Sequence, residues 1–130
     1  MAAILIIDDD PNICNILVRL VQSFGHQTVV AHTLADGLAS ARDAGMDLVL
    51  LDLELPDGNG LDILPDLLRS ASAPEVIIIT GAGDDRGAEL AFKYGAWDFI
   101  SKPFLLEEVS LPIARALQYR LEKTAKKGSP

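Results

Sequence analysis

The stretch Asp47-Leu-Val-Leu-Leu-Asp52-Leu-Glu-Leu-Pro-Asp-Gly58 decides the fold. Its apolar run is too short for a typical helix and is almost unbroken, which is typical of a strand buried on both faces of a parallel sheet. Asp52 then stands at the carboxyl end of the strand, where open α/β sheets bind their ligands. Because aspartate is also a common turn residue, Asp52 alone does not establish a site.

Four further segments of the chain have the same strand-like character. They are Ala2–Ile7, Gln27–Ala31, Glu75–Ile79 and Trp97–Ser101. Between and after the strands, apolar residues recur at helical spacing, which predicts five helices. Strands that alternate with helices imply right-handed crossovers and helices on both faces of the sheet. The sequence therefore predicts an α/β doubly wound sandwich around a five-stranded parallel sheet.

Prolines mark several helix boundaries. Asp10 and Pro11 form a helix start, with Asp10 as the N-cap. Pro65 should bend the third helix or shift its start, because proline lacks the N–H group of the helical ladder. The last helix is expected from about Leu106 toward Lys126, with a kink at Pro112 and a second cap at Ser110. We expect one folded domain over residues 1–122, and a frayed helix end or linker over 123–130.

Composition narrows the class of protein. The 130 residues suffice for one domain, and 49% of them are hydrophobic, as in a packed globular protein. The net charge of −8 repels phosphate groups, so we expect no direct binding of nucleic acid. The apolar runs are shorter than a membrane span, and no signal peptide follows Met1. Cys14, the single cysteine, excludes an internal disulfide and indicates a buried thiol in a cytoplasmic protein. The histidines, His26 and His32, are expected away from the site edge.

The polar residues that could bind a ligand or react stand at the ends of the predicted strands. Strand one ends on Asp8 and Asp9, strand three on Asp52, strand four on Thr80 and strand five on Lys102. In a parallel sheet these ends meet at one edge, where two carboxylates ~4 Å apart repel by roughly 4 kcal/mol at an effective dielectric of about 20. The oxygen ligands favour Mg²⁺ over Ca²⁺. A metal, an ammonium, a hydroxyl and a free carboxylate together favour phosphoryl chemistry.

The same residues resemble the receiver domain of two-component response regulators over nearly the whole chain. The matching segments are Ile-Leu-Ile-Ile-Asp8-Asp9-Asp10-Pro11, Leu-Leu-Asp52-Leu-Glu-Leu-Pro-Asp-Gly-Asn-Gly60, Ile-Ile-Ile-Thr80-Gly81 and Phe99-Ile-Ser-Lys102-Pro103-Phe104. The ordered set is specific, although each motif alone is weak. The resemblance implies a flavodoxin-like fold with strand order 2-1-3-4-5.

The resemblance also implies roles for individual residues. Asp52 is expected to be the phosphoacceptor, and Asp8, Asp9, Asp52 and the backbone carbonyl of Glu54 are expected to bind Mg²⁺. The phosphoryl group would come from a sensor histidine kinase or a phosphotransfer protein, and the domain would catalyse its own phosphorylation and dephosphorylation.

A second set of implied roles concerns the switch. Thr80 would sense the phosphoryl group, Phe99 would turn inward behind it, and Lys102 would pair with the phosphoryl oxygens. The bond before Pro103 is expected to be cis. The output surface would comprise the fourth helix, the fifth strand and the fifth helix, including Tyr94, Trp97 and Arg115.

The segment 95–104 is most similar to receivers of nitrogen-regulation-type transcription activators. An ATPase or DNA-binding output domain downstream, or a homodimer, is therefore expected, and an excised receiver is favoured slightly over a stand-alone regulator. Leu53, Glu54 and Ala82 depart from common patterns at places that influence the lifetime of the acyl phosphate.

Three other readings remain open at this point. A haloacid-dehalogenase-type phosphatase would use Asp8 as nucleophile and Asp10 as acid/base, but it expects another residue at Asn12 and leaves Asp52 without a role. A flavodoxin-like cofactor binder would need a glycine- and hydroxyl-rich phosphate loop after strand one. A receiver-like domain that signals without phosphorylation is the third.

Overall fold

A computed structural model describes residues 1–81 and 85–128, and it contains a five-stranded parallel sheet. The strands of this sheet are β1 (Ala3–Ile7), β2 (Gln27–Ala31), β3 (Leu48–Leu51), β6 (Glu75–Thr80) and β7 (Asp98–Ser101). Two shorter strands, β4 (Glu54–Leu55) and β5 (Gly58–Asn59), form a separate antiparallel hairpin. The main sheet has the order β2-β1-β3-β6-β7, with every neighbouring pair parallel. Counted among its own strands this is 2-1-3-4-5, which confirms the predicted flavodoxin-like fold.

Helices cover both faces of the sheet. They are α1 (Pro11–Ser23), α2 (Leu34–Asp43), α3 (Leu64–Leu68), α4 (Asp85–Lys93) and α5 (Leu106–Gly128). Successive side chains of a strand point to opposite faces. Ile4 and Ile6 accordingly pack with α1 and α5, whereas Leu5 and Ile7 pack with α2, α3 and α4. Within the described residues, no helix is both long and apolar enough to cross a membrane.

Capping residues and prolines in the sequence indicate where α1 and α3 begin. Asp10 caps α1 as predicted, because its side chain accepts the N–H of Asn12. Pro65 lies in the first turn of α3, which starts only after a 3₁₀ turn over Gly60–Asp62. This agrees with a shifted helix start, since proline is tolerated in the first turn.

The predicted second cap in α5 is wrong. The helix is continuous from Leu106 through Pro112, so Ser110 begins no new helix. The cap lies earlier, where Glu108 Oε1 accepts the N–H of Leu105 at 2.8 Å. This contact is the glutamate half of a capping box, and it satisfies an amide at the true start of the helix.

An ion cluster fastens α5 to the amino edge of the sheet. The Arg120 guanidinium donates to Asp47 Oδ1 at 3.0 Å, to Glu75 Oε2 at 3.1 Å and to the carbonyl groups of residues 72–73. Lys123 Nζ donates to the other Glu75 oxygen at 2.8 Å. The cluster closes the far end of α5 over the starts of β3 and β6.

Candidate functional site

Backbone hydrogen bonds beyond the ends of the strands bring the predicted site residues to the carboxyl edge. The N–H of Asp52 donates to the carbonyl of Ile7 at 2.9 Å, which holds Asp52 beside the Asp8–Asp9 pair. The N–H of Lys102 donates to the carbonyl of Thr80, also at 2.9 Å. These backbone hydrogen bonds therefore hold Asp52 beside Asp8 and Asp9, and Lys102 beside Thr80, on one edge of the sheet.

Lys102 bridges the two buried carboxylates of this edge. Its Nζ atom lies 2.6 Å from Asp8 Oδ2 and 3.0 Å from Asp52 Oδ2. Burial by itself would lower the pKa of Lys102, but the hydrogen bonds to Asp8 and Asp52 outweigh burial and raise the pKa. The ammonium therefore stays charged and relieves part of the repulsion that the sequence predicts between the carboxylates.

Burial still disfavours the charged form of Asp8, although Lys102 bridges it to Asp52. It is 2% exposed, and burial raises its pKa above the ordinary 3.8 against the opposing effect of Lys102. Its Oδ1 atom accepts the N–H of Asp10 at 2.9 Å. Asp52, 5% exposed, is held in a similar way, since its Oδ1 atom accepts the N–H of Glu54 at 3.2 Å. The backbone thus orients both carboxylates toward the same space.

The carboxylates of Asp8, Asp9 and Asp52 are arranged for a divalent cation. Each offers one oxygen, and the three oxygens lie within 4.8 Å of one another. Asp9 is exposed, so the cluster is open to solvent on its side. A cleft of about 500 Å³ opens there, lined by Asp9, Asp10, Asp52, Glu54, Leu55, Pro56, Gly81 and Lys102. A donor set of oxygen atoms alone fits a hard cation such as Mg²⁺.

Thr80 carries the unusual polar atom of the site. Its Oγ1 atom is buried and has no hydrogen-bond partner among residues 1–81 and 85–128. Buried hydroxyl groups are normally bonded, so an orphaned hydroxyl calls for an explanation. It lies on the residue whose carbonyl accepts the Lys102 N–H, next to the lysine that holds the carboxylates.

The remaining predicted residues have simpler surroundings. Phe99 is half-buried against the apolar cluster under α2, α3 and α4. The bond between Lys102 and Pro103 is cis. Leu53 is buried in the same cluster as Phe99, whereas the Glu54 side chain is exposed. Ala82 lies outside the described residues.

Of the residues predicted for the output surface, Arg115 lies on its predicted element, whereas Tyr94 and Trp97 lie just outside theirs. Tyr94 is 46% exposed after α4, and Arg115 is exposed on α5. Trp97 is half-buried just before β7, and its ring stacks on Tyr119 of α5 with centroids 4.7 Å apart. The segment that leads into β7 is therefore joined to α5 by an aromatic contact.

One residue near the site lies elsewhere than the sequence predicts, and a second residue, in the predicted turn, makes contacts that the sequence does not reveal. His32 is predicted far from the site edge, but its Nδ1 atom lies 2.9 Å from the Asp8 carbonyl, because β2 ends on the same edge as β1. Asp57 has the sequence context of a turn residue, yet its carboxylate accepts the N–H groups of Leu34 and Ala35 at the start of α2. Cys14 is buried as predicted, and burial raises the pKa of its thiol to about 11.

The sequence matches the response regulator receiver domain family over residues 4–113. The chain therefore belongs to this family, whose members are the phosphorylation switches of two-component signalling. The family, the fold and the acidic edge agree with the resemblance inferred from the motifs.

Individual relatives are transcription regulators and receiver domains. The KDP operon transcriptional regulatory protein KdpE of Escherichia coli is 34% identical over 125 residues, which are 96% of this chain and 55% of that protein. A receiver domain protein from Clostridium thermocellum is 31% identical with a TM-score of 0.83, over 92% of this chain and 97% of the other.

NtrX from Brucella abortus is also 31% identical, with a TM-score of 0.89, over 97% of this chain and 29% of that one. This match supports the narrower resemblance to nitrogen-regulation-type receivers. The chain spans a little more than half the length of the first curated relatives, at 53%, 55% and 57%.

Proposed function

We propose that the domain is a phosphoacceptor that takes a phosphoryl group from a sensor histidine kinase, or from a phosphotransfer protein, onto Asp52. An oxygen of Asp52 forms a bond to phosphorus while the bond between phosphorus and the donor histidine nitrogen breaks. The product is an acyl phosphate, which adds roughly one to two negative charges at the carboxyl edge. Water later hydrolyses it at the same site, so the domain catalyses both its phosphorylation and its dephosphorylation.

Asp8, Asp9, Asp52 and the Glu54 carbonyl are the groups that would hold Mg²⁺. When bound, Mg²⁺ neutralises charge on the phosphoryl oxygens. The Asp8 and Asp52 carboxylates are pre-oriented by the N–H groups of Asp10 and Glu54. Lys102, already 3.0 Å from Asp52, needs only a small movement to pair with a phosphoryl oxygen.

The buried, unpartnered hydroxyl of Thr80 carries the proposal. An orphaned donor beside the lysine gains a hydrogen bond when a phosphoryl oxygen arrives, whereas it has none before. That gain biases the domain toward a state in which Thr80 has moved toward Asp52 and Phe99 has turned inward. A difference of a few kcal/mol between the two states is enough to shift the population.

Phosphorylation with a small acyl-phosphate donor tests the assignment. Wild-type protein should incorporate phosphate when Mg²⁺ is present, Asp52→Asn should incorporate none, and Asp43→Asn, which alters an exposed acid at the end of α2, should behave as wild type. Incorporation that survives Asp52→Asn and vanishes in Asp8→Asn would contradict the proposal and favour the phosphatase reading. That reading is already weakened, because the Asp10 carboxylate is engaged in capping α1.

The receiver is proposed to pass its signal to a DNA-binding or ATPase output domain downstream, or to act by forming a homodimer. The chain covers about half of relatives named as transcription regulators, and one relative is named a DNA-binding response regulator. The surface of α4, β7 and α5 would transmit the signal, since β7 leads directly to Lys102 and the residue before β7, Trp97, stacks on α5. The boundary at residue 122 and the cytoplasmic location stay predictions.

A further inference from the structure

The start of α2 is capped by a residue from a distant loop. An α-helix leaves its first four N–H groups without partners inside the helix. Thr33, the N-cap, accepts the N–H of Asp36 at 3.1 Å. Asp57 takes two others, because its Oδ1 accepts the N–H of Leu34 at 2.9 Å and its Oδ2 accepts that of Ala35 at 3.0 Å. These two bonds lower the pKa of Asp57.

Asp57 lies at the tip of the β4–β5 hairpin, and the base of the hairpin is the backbone of the phosphoacceptor. The N–H of Gly60 donates to the carbonyl of Leu53 at 2.9 Å. A β-carbon at Gly60 would collide with the carbonyl oxygen of Asp52, so the hairpin returns directly onto that residue. The hairpin also contains Glu54, whose N–H orients the Asp52 carboxylate. A displacement of the tip therefore reaches Asp52 and Glu54 together.

The other end of this link is tied to the loop of Asp8 and Asp9. The carbonyl of Ala31 accepts the N–H of Asp8 at 3.1 Å, and His32 Nδ1 lies 2.9 Å from the Asp8 carbonyl. Residues 31–35 thus contact both loops that supply the acidic ligands. Leu34 and Leu55 of the hairpin also belong to one apolar cluster, but apolar packing does not fix direction as hydrogen bonds do. Two charge-assisted hydrogen bonds fix direction as well as distance.

We propose that Asp57 is a positioning residue, whose carboxylate anchors the hairpin on α2 and so sets the spacing of Asp52 and Glu54 from Asp8 and Asp9 for a divalent cation. This inference rests on the proposed function, because it concerns the same acidic site. Asp57 itself contacts neither the cation nor the phosphoryl group. It acts through the backbone of the hairpin, and the cap on α2 is the means by which it does so.

The matched control is Thr33→Val, which removes a cap from the same helix but leaves the hairpin attached. Mg²⁺ dissociation constants are measured by titration calorimetry for wild type, Asp57→Ala, Asp57→Asn and Thr33→Val, at a temperature at which circular dichroism shows all four folded. Asp57→Ala should raise the Kd for Mg²⁺ about tenfold, the lower end of the loss seen when partners of metal ligands are removed. Asp57→Asn, which keeps one strong acceptor oxygen, should be intermediate, and Thr33→Val should be unchanged.

Each other outcome is decisive. If Asp57→Ala and Thr33→Val change the Kd equally, or not at all, Asp57 is only a helix cap and the inference is overturned while the proposed function stands. If wild type binds no Mg²⁺, both fail. Should Asp57→Ala not fold, Asp57→Asn carries the same comparison. Amide hydrogen exchange at Glu54 and Gly60 gives an independent readout, and it should accelerate in Asp57→Ala but not in Thr33→Val.

Discussion

The two edges of the sheet each carry a cluster of charged side chains, but the clusters differ in how fully their polar atoms are bonded. At the amino edge, Asp47 and Glu75 meet Arg120 and Lys123, so two acids face two bases. Each of the four carboxylate oxygens accepts a hydrogen bond, one of them from the backbone of Ala3.

At the carboxyl edge the balance is different. Among the residues that the structure describes, three carboxylates, those of Asp8, Asp9 and Asp52, lie together, and the ammonium of Lys102 pairs with only two of them, Asp8 and Asp52. The hydroxyl of Thr80 beside them has no hydrogen-bond partner in the described part of the chain. A saturated cluster fastens the structure, whereas an unsaturated one has capacity left for a ligand. The difference between the edges therefore indicates which of them carries the function.

Replacement of the central basic residue at each edge should have the largest effects on the free energy of unfolding. In the presence of a chelator, Arg120→Met and Lys102→Met should each lose about 3 kcal/mol of unfolding free energy, the lower end for a buried pair that loses one partner. Mg²⁺ at about 100 times its Kd adds about 2.7 kcal/mol to a folded protein that binds it. Urea denaturation should show that Mg²⁺ stabilises Arg120→Met as much as wild type, and Lys102→Met more than wild type.

The reason for this asymmetry is that Mg²⁺ can replace the charge of Lys102 but has no access to the saturated cluster. If Mg²⁺ stabilised wild type, Arg120→Met and Lys102→Met equally, the predicted difference between the edges would be wrong. That result would show that Lys102 and Mg²⁺ do not bind the same carboxylates.

Replacement of the Thr80 hydroxyl by a methyl group should have a smaller effect on the free energy of unfolding, and the effect should be stabilising. Thr80→Val should raise the unfolding free energy of the unphosphorylated protein by about 1 kcal/mol, since an unbonded buried hydroxyl costs about 1–3 kcal/mol. Thr33→Val, the same change at a bonded hydroxyl, should lower it by about 1 kcal/mol through loss of a helix cap. Urea denaturation of both variants in chelator checks the pair, and a destabilised Thr80→Val would mean that the hydroxyl is bonded after all.

The pH dependence of cation binding should be the smallest effect. Burial raises the pKa of Asp8 above 3.8, so in the metal-free fold its stabilising contribution is present below 3.8 and is lost as the pH rises through the raised value. Mg²⁺ competes with that proton, and its affinity should therefore increase with pH across the same window. Calorimetric titrations from pH 4 upward, in a buffer that does not bind Mg²⁺, measure this change. A Kd that is constant over the window would remove Asp8 from the ligand set.

The sequence predicted those features that depend on local pattern. The buried runs at β1, β3 and β6 gave the sheet, because a parallel sheet covered on both faces needs unbroken apolar strands. The topology of such a sheet then placed the carboxyl ends of these strands on one edge. Asp8, Asp52 and Thr80 could for this reason be grouped from the amino-acid sequence alone, together with Lys102 at the end of the fifth strand of the sheet.

Features that depend on contacts between distant residues were not predictable in this way. The hairpin of β4 and β5 has two residues in each strand, too few for a periodic pattern. Arg120 contacts Asp47 and Glu75 across 73 and 45 positions, and in the sequence it is indistinguishable from any polar residue on a helix. The predicted cap at Ser110 was wrong because proline usually interrupts a helix, whereas packing of Val109 and Ile113 holds this helix through Pro112.

The strand β6 joins the two edges, since Glu75 begins it and Thr80 ends it. At about 3.3 Å per residue, its length separates the saturated cluster from the carboxyl edge by about 16 Å. Substitutions more than about 10 Å apart that share no partner usually have additive effects on stability. The free energy of unfolding contributed by the Arg120 cluster is thus expected to be independent of substitutions at the carboxyl edge. Substitutions in the Arg120 cluster can therefore raise or lower the melting temperature without altering the carboxylates proposed to bind Mg²⁺ at the opposite edge.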